Sequence, residues 1–239
     1  MSALYLYGLV GAEPNPETSL GEGMAGEPLA ILRVGGLFAV VGRLEKDAAR
    51  PEITAAALAR HDGTVRRLAL LVPALLPARF GEQLPDATAL GEALAPRAAE
   101  ITRALILVEG CVQMTLRVFG EPAVPAIEIA ESVGEESAAG PGTRYLAARR
   151  RAAHPGLPEV AALRQSLKPL VRAERIERHG RKPAKGQLLA TAHDLVLREN
   201  AADYRRTVEG ATPALLAGRK VSVSGPWPPY AFAPGGAFR

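Results

Sequence analysis

Cysteine is almost absent from this sequence of 239 residues: Cys111 stands alone, so no disulfide can form within the chain. A single thiol fits a reducing compartment. Aromatic residues make up only 5 % of the chain, so alanine, leucine and valine must fill most of any core. No apolar run is long enough to span a bilayer, and the longest, residues 68–78, is interrupted by Pro73 and Pro77. The first ten residues have no basic stretch and no small-residue cleavage site, and Glu13, Pro14 and Asn15 follow directly, which argues against a signal peptide. These features point to a soluble, cytosolic protein. A net charge of +4 is a mild excess that permits contact with an acidic partner but does not identify nucleic acid, whose binding usually leaves a concentrated basic stripe.

Catalytic signatures are missing too. No GxGxxG follows a strand, and there is no GxxxxGK(S/T), HExxH, CxxC or GxSxG. The four histidines are scattered. His61 falls on the apolar stripe of a helix and reads as a packed core histidine with one ring nitrogen satisfied. His193 and Asp194 are neighbours on an expected strand, where side chains point to opposite faces, so they do not form a dyad. Cys111 opens a strand and reads as a small buried hydrophobe. The basic residues Arg149–Arg151, Arg164, Lys168, Arg172, Lys182 and Lys185 read as a solvated face.

What is present is 48 % hydrophobic residues, enough for a substantial core. The pattern predicts strands over residues 3–10, 29–34 and 37–42, the last two joined through Gly35-Gly36, a pair suited to the positive φ of a tight hairpin. A helix capped by Thr54 follows, with Ile53, Ala57, Leu58, His61, Val65, Leu68 and Val72 along one face. A short strand is expected over residues 75–80. A second helix is expected over residues 88–108, kinked or split at Pro96. Residues 111–119 alternate as a strand. Residues 121–142, rich in proline and glutamate, read as an exposed excursion.

Thereafter a helix from Thr143, a second from Pro158 carrying Leu163, Leu167, Leu170 and Val171, strands at 174–178 and 188–197, a helix over 199–216 and a strand at 220–224 are expected. From Cys111 onward this is the strand-helix-strand-strand-helix-strand order of a ferredoxin-like unit. The expected fold class is α+β in two domains, residues 1–109 and 110–225, followed by an extended proline and aromatic tail, residues 226–239.

Several segments carry a resemblance. Tyr5-Leu6-Tyr7-Gly8-Leu9-Val10, Leu76-Pro77-Ala78-Arg79-Phe80-Gly81, His61 in the first long helix, Gly142-Thr143-Arg144-Tyr145-Leu146 with Arg149, and above all Gly225-Pro226-Trp227-Pro228-Pro229-Tyr230-Ala231-Phe232 resemble, in order, the segments of the GvpF/GvpL gas vesicle proteins. The chain departs from that pattern at Cys111-Val112-Gln113, at the break over residues 155–158, and at His193-Asp194. The resemblance implies a two-domain α+β protein with a ferredoxin-like second domain and a tail packed between domains. It implies a minor structural or nucleating role in the gas vesicle, within the cytoplasm, through contact with the major shell protein, GvpA, and other accessory Gvp proteins. It implies no cofactor and no turnover.

Two motifs have a physical reading of their own. In the tail, prolines fix an extended strip, and Trp227, Tyr230 and Phe232 offer apolar area at low entropic cost, as a clasp or a docking peptide. Arg79 and Phe80 complete the interaction candidates. Arg79, flanked by apolar residues on an expected buried strand, calls for a carboxylate or helix C-terminus as partner. A small-molecule-binding or enzymatic ferredoxin-like protein with a site between the domains is the alternative, and an RNA-binding module a third reading. Convergence of Arg79 and His61 on an open pocket with a carboxylate would mark the enzyme.

Overall fold

The computed structural model describes residues 3–15, 17–45, 50–120, 157–179 and 186–234. The fold is α+β with two antiparallel sheets. Contacts divide the chain into two units: residues 1–114 with 195–201 and 225–239, and residues 115–194 with 202–224.

In the first unit, strand β1 (Ala3–Val10) lies at the centre of a sheet of order β2-β3-β1-β4, with β5 also paired to β1. Strands β2 (Leu29–Val34) and β3 (Leu37–Leu44) form the expected hairpin. Gly35 and Gly36 both take positive φ, 57° and 82°, which is why the turn closes on two glycines. Strand β4 is only Leu75–Pro77, shorter than the sequence suggests, because the chain turns away after the proline; β5 (Gln83–Leu84) carries no sequence signal of its own.

Helix α1 (Ala55–Leu71) starts where Thr54 accepts a hydrogen bond from the amide of Ala57. Its buried face is Ala57, His61, Thr64, Val65 and Leu68, and it meets Tyr5, Tyr7 and Val10 of β1 in one core. Ile53 and Leu58, expected on that face, are exposed: Ile53 precedes the helix, and Leu58 lies on its outer side. Register between β1 and β3 shifts between Leu6 and Gly8. This bulge moves the alternation by one residue, so Tyr5, Tyr7 and Val10 all reach the same core. Pro96 splits the next helix as expected, into α2 (Ala87–Leu94) and α3 (Ala98–Val108) on either side of a 3-10 turn.

The second sheet has the order β7-β8-β6-β9. Strands β6 (Cys111–Phe119) and β8 (Leu188–Leu197) match the sequence reading, and both are largely buried. Strand β7 begins at Val171 rather than 174 and runs to Arg178, so Val171 belongs to a strand and not to the preceding helix. It is a charged, largely uncovered edge strand, a composition that discourages pairing with other chains. Helix α4 (Ala161–Leu167) buries Leu163 and Leu167. The long helix expected over 199–216 is two: α5 (Ala201–Glu209), burying Tyr204 and Val208, and α6 (Pro213–Leu216). Gly210 and Pro213 account for the break. Strand β9 (Lys220–Trp227) runs three residues further than expected, into the tail motif. The excursion at 121–142, the helix from Thr143 and the basic turn at 180–185 lie outside the described residues.

Candidate functional site

Tyr5, Tyr7, His61 and Phe80 form one aromatic cluster in the first unit. The His61 ring stacks on Tyr7 at 5.6 Å and meets Tyr5 and Phe80 at its edges, each at 5.7 Å. β1 supplies the two tyrosines, α1 the histidine and the turn after β4 the phenylalanine. Three of the motif segments thus converge on one histidine.

The polar atoms of this cluster are closed on one another. His61 Nε2 lies 3.3 Å from the Ala78 carbonyl, which can only accept, so Nε2 carries the proton. Nδ1, at 3.0 Å from the Tyr5 hydroxyl, is then the acceptor. The same hydroxyl accepts from the Gly81 amide at 2.9 Å. Burial pushes the His61 pKa below its ordinary value and holds the ring neutral. Sequence reasoning expected one satisfied nitrogen; the fold satisfies both, leaving neither lone pair nor proton for acid–base work or a metal.

Tyr7 anchors the loop before β2. Its hydroxyl donates to Glu27 Oε1 at 2.5 Å and accepts from the Met24 amide at 2.7 Å, while Glu27 Oε2 accepts from the Ala25 amide at 2.9 Å. Burial and the Glu27 carboxylate raise the Tyr7 pKa well above the phenol range. Nothing in the sequence singled out Glu27, whose importance depends on a loop bringing it back to β1.

The tail packs on the other residues of α1. Trp227 lies under the Arg66 guanidinium, with Cζ 4.2 Å from the ring centroid. Arg66 also donates from Nε to Asp62 at 2.6 Å, one helical turn away. Tyr230 packs against the β1–α1 core, and its pKa is raised by burial and then by the Asp62 charge. The Ala231 amide donates to Gln113 Oε1 at 2.8 Å, and Phe232 is buried. Between the tail and α1 lies a cavity of about 240 Å³, lined mainly by apolar groups and by Arg66 and Arg198.

Of the interaction candidates, Phe80, Tyr230 and Phe232 are built into this unit, and Trp227 is half-buried on its surface. Arg79 is different. It is exposed and forms no ion pair with any described residue: β4 ends at Pro77, Ala78 is still buried, and the chain turns outward at Arg79. Its charge is solvated, so the partner expected for a buried arginine is not needed. Arg79 and His61 share no pocket, since one is exposed and the other is 3 % exposed with both nitrogens engaged.

The second unit holds a buried ionic group that the sequence did not reveal. Asp194, fully buried, accepts two bonds from Arg164 and one from the Tyr204 hydroxyl, and Arg164 also pairs with Glu174. Burial opposes the Arg164 charge, but the Asp194 bond and charge outweigh it and raise the pKa; burial, then Asp194, raises that of Tyr204. Arg164 is therefore an internal anchor and not part of a solvated face. His193 points elsewhere, to Thr115 at 3.3 Å, so no dyad forms with Asp194. Cys111 is buried, as expected. Among the described residues, no group of three or more His, Cys, Asp or Glu side chains is placed to hold a metal, and no helix is long and apolar enough to cross a membrane.

No curated protein sequence matches the chain significantly. Its fold is shared with solved structures of gas vesicle proteins. Gas vesicle protein GvpF from Anabaena sp. PCC7120 superposes with a TM-score of 0.66 at 18 % identity, covering 98 % of this chain and 97 % of that one. GvpF from Microcystis aeruginosa gives 0.64 at 16 % identity, covering 98 % and 100 %. The model of the gas vesicle synthesis protein GvpL/GvpF family matches residues 3–234, a span that takes in the β1 tyrosines, His61, the LPARFG turn and the GPWPPYAF tail. With that match over nearly its whole length, the chain belongs to the GvpL/GvpF family of gas vesicle synthesis proteins.

Proposed function

We propose that the protein is a gas vesicle accessory component, a minor structural element or an assembly and nucleation factor, that acts through contact with the major shell protein GvpA and other accessory Gvp proteins. The family match over residues 3–234 carries this reading. The geometry supports it: the histidine that could have served chemistry is consumed by internal hydrogen bonds, while apolar groups remain at the surface, Leu70 at 79 % and Ile106 at 61 % exposure. The place of action is the gas vesicle within the cytoplasm. We read the second unit as ferredoxin-like, because a strand-helix-strand-strand-helix-strand chain order combined with the sheet order β7-β8-β6-β9 is that arrangement. The tail is read as a clasp rather than a free docking peptide, since Phe232 is buried and Tyr230 packs on the core. The enzymatic alternative asked for Arg79 and His61 at one open pocket, and their side chains do not meet.

Co-expression with the shell protein tests the proposal. A tagged chain should retain GvpA under conditions in which vesicles assemble. Failure to retain it there, with the chain folded, would overturn the partner assignment.

A further inference from the structure

The cavity beside α1 combines an apolar wall with two arginines, of which only Arg66 has a carboxylate partner among the described residues. Ala69, Leu70, Leu75 and Cys111 line one part of it, Trp227 and its flanking prolines another. No carboxylate lines it; its charges are Arg66 and Arg198. Arg66 is already bonded to Asp62 through Nε, which leaves its two terminal nitrogens. Arg198 is held by one bond, from Nη2 to the Val72 carbonyl at 2.8 Å. Its Nε is buried with no acceptor, and no described carboxylate pairs with it. A buried cationic N–H without an acceptor is costly, and arginine does not shed its proton to escape that cost. At the rim, Leu70 is 79 % exposed, an apolar side chain with no cover.

Size indicates what fits. A dry cavity of about 150 Å³ holds a benzene ring, whereas pockets for drug-sized molecules run from about 300 Å³ upward. A volume of about 240 Å³ is suited to one large side chain. We infer that this cavity is a docking site for a segment of a protein partner that seats one large apolar side chain against Trp227 and Leu70 and sets a neighbouring carboxylate on Arg198 and Arg66. An anchor residue in a desolvated pocket, with a charge pair beside it, is the usual form of an interface hot spot. The inference rests on the protein-contact reading above and specifies the chemistry of the partner.

Trp227 is the sole tryptophan of the chain and stands in the cavity wall, so its emission reports occupancy directly. The full chain is titrated with a short peptide alternating leucine and glutamate, and with a matched peptide carrying glutamine for every glutamate. The glutamate peptide should give a saturable shift in Trp227 emission, and the glutamine peptide should bind about tenfold more weakly, as expected for loss of a charge-assisted bond. Leu70→Glu, at an exposed position, should leave the unfolding midpoint unchanged and weaken binding by about tenfold or more. Arg198→Gln should erase the preference for glutamate. Equal affinity for both peptides, unaltered binding by Leu70→Glu, or no saturable shift overturns the inference. Octanoate saturating the shift as well as the peptide would assign the cavity to a small molecule and overturn it too. Retention of the shell protein by wild type and Leu70→Glu alike would defeat the cavity while leaving the assembly role standing. Peptide binding without shell-protein retention would do the reverse.

Discussion

Replacing Tyr5 by phenylalanine removes one oxygen from the first unit and leaves the ring in place. That oxygen lies 3.0 Å from His61 Nδ1 and 2.9 Å from the Gly81 amide, on a side chain only 1 % exposed. Without it, two polar groups lose a partner. Each orphaned group costs about 1–3 kcal/mol, and since the Gly81 amide is only partly buried, the sum is about 2–4 kcal/mol. The assay is urea unfolding followed by Trp227 emission, because Trp227 belongs to the same unit as the lost contact. His61→Leu should also destabilise, and the double variant Tyr5→Phe with His61→Leu should lose less than the sum, since each change removes the other's partner. A loss under about 0.5 kcal/mol, the size of an ordinary surface change, would refute the idea that this hydroxyl ties β1, α1 and the LPARFG turn together. Strict additivity would show that Tyr5 and His61 are merely near each other.

Phe232→Ala should cost about 3–5 kcal/mol in the same assay, as for other buried phenylalanines. Deletion of residues 226–239, which also removes Trp227, should cost at least as much when unfolding is followed by far-UV circular dichroism; a truncated chain that keeps its thermal midpoint but loses its partner would make the tail a docking peptide instead. Asp194→Ala strands Arg164 and Tyr204 in the second unit and should cost about 3–5 kcal/mol by thermal unfolding in far-UV circular dichroism, whereas an unchanged midpoint would mean the group is solvated. Stability should also fall on both sides of neutrality. Because the His61 pKa is lowered in the fold, its contribution is complete above pH 6.5 and is lost as pH falls below that value. Because Tyr5, Tyr7 and Tyr230 are raised, theirs is complete below pH 10.0 and is lost above it; in urea titrations across pH, His61→Leu should flatten the acid limb only.

Local signals carried much of the fold. Alternating or continuous apolar runs gave β1, β6 and β8 with their ends, and paired glycines gave the β2–β3 turn, because strand and turn preferences act within a few residues. Pro96 had to break a helix and did. The bulge at Tyr7 was not legible, since it depends on how β3 and β1 register and not on either strand alone. The helical period over 199–216 outvoted Gly210 and Pro213, though those two residues decide the outcome.

At the site, the motif residues were recognisable but their relations were not. His61 could be placed on a helix face, yet its two partners come from residues 5 and 78. Arg79 looked buried because its neighbours are apolar, but β4 ends at Pro77, and two residues past that end, beyond the buried Ala78, the Arg79 side chain faces solvent. Arg164 looked solvated because arginine usually is; its carboxylate lies thirty residues on, in β8, where only the fold brings the two together. The same holds for Arg66 and Trp227, whose contact joins α1 to the end of the chain.

The most direct test of the account is removal of the gene for this chain from a gas-vesicle-forming host, followed by complementation. The account predicts that intact vesicles fail to appear, and that the wild-type chain restores them while the chain lacking residues 226–239 does not. Vesicles of normal number and shape in the deletion strain, with no related protein expressed in its place, would contradict it.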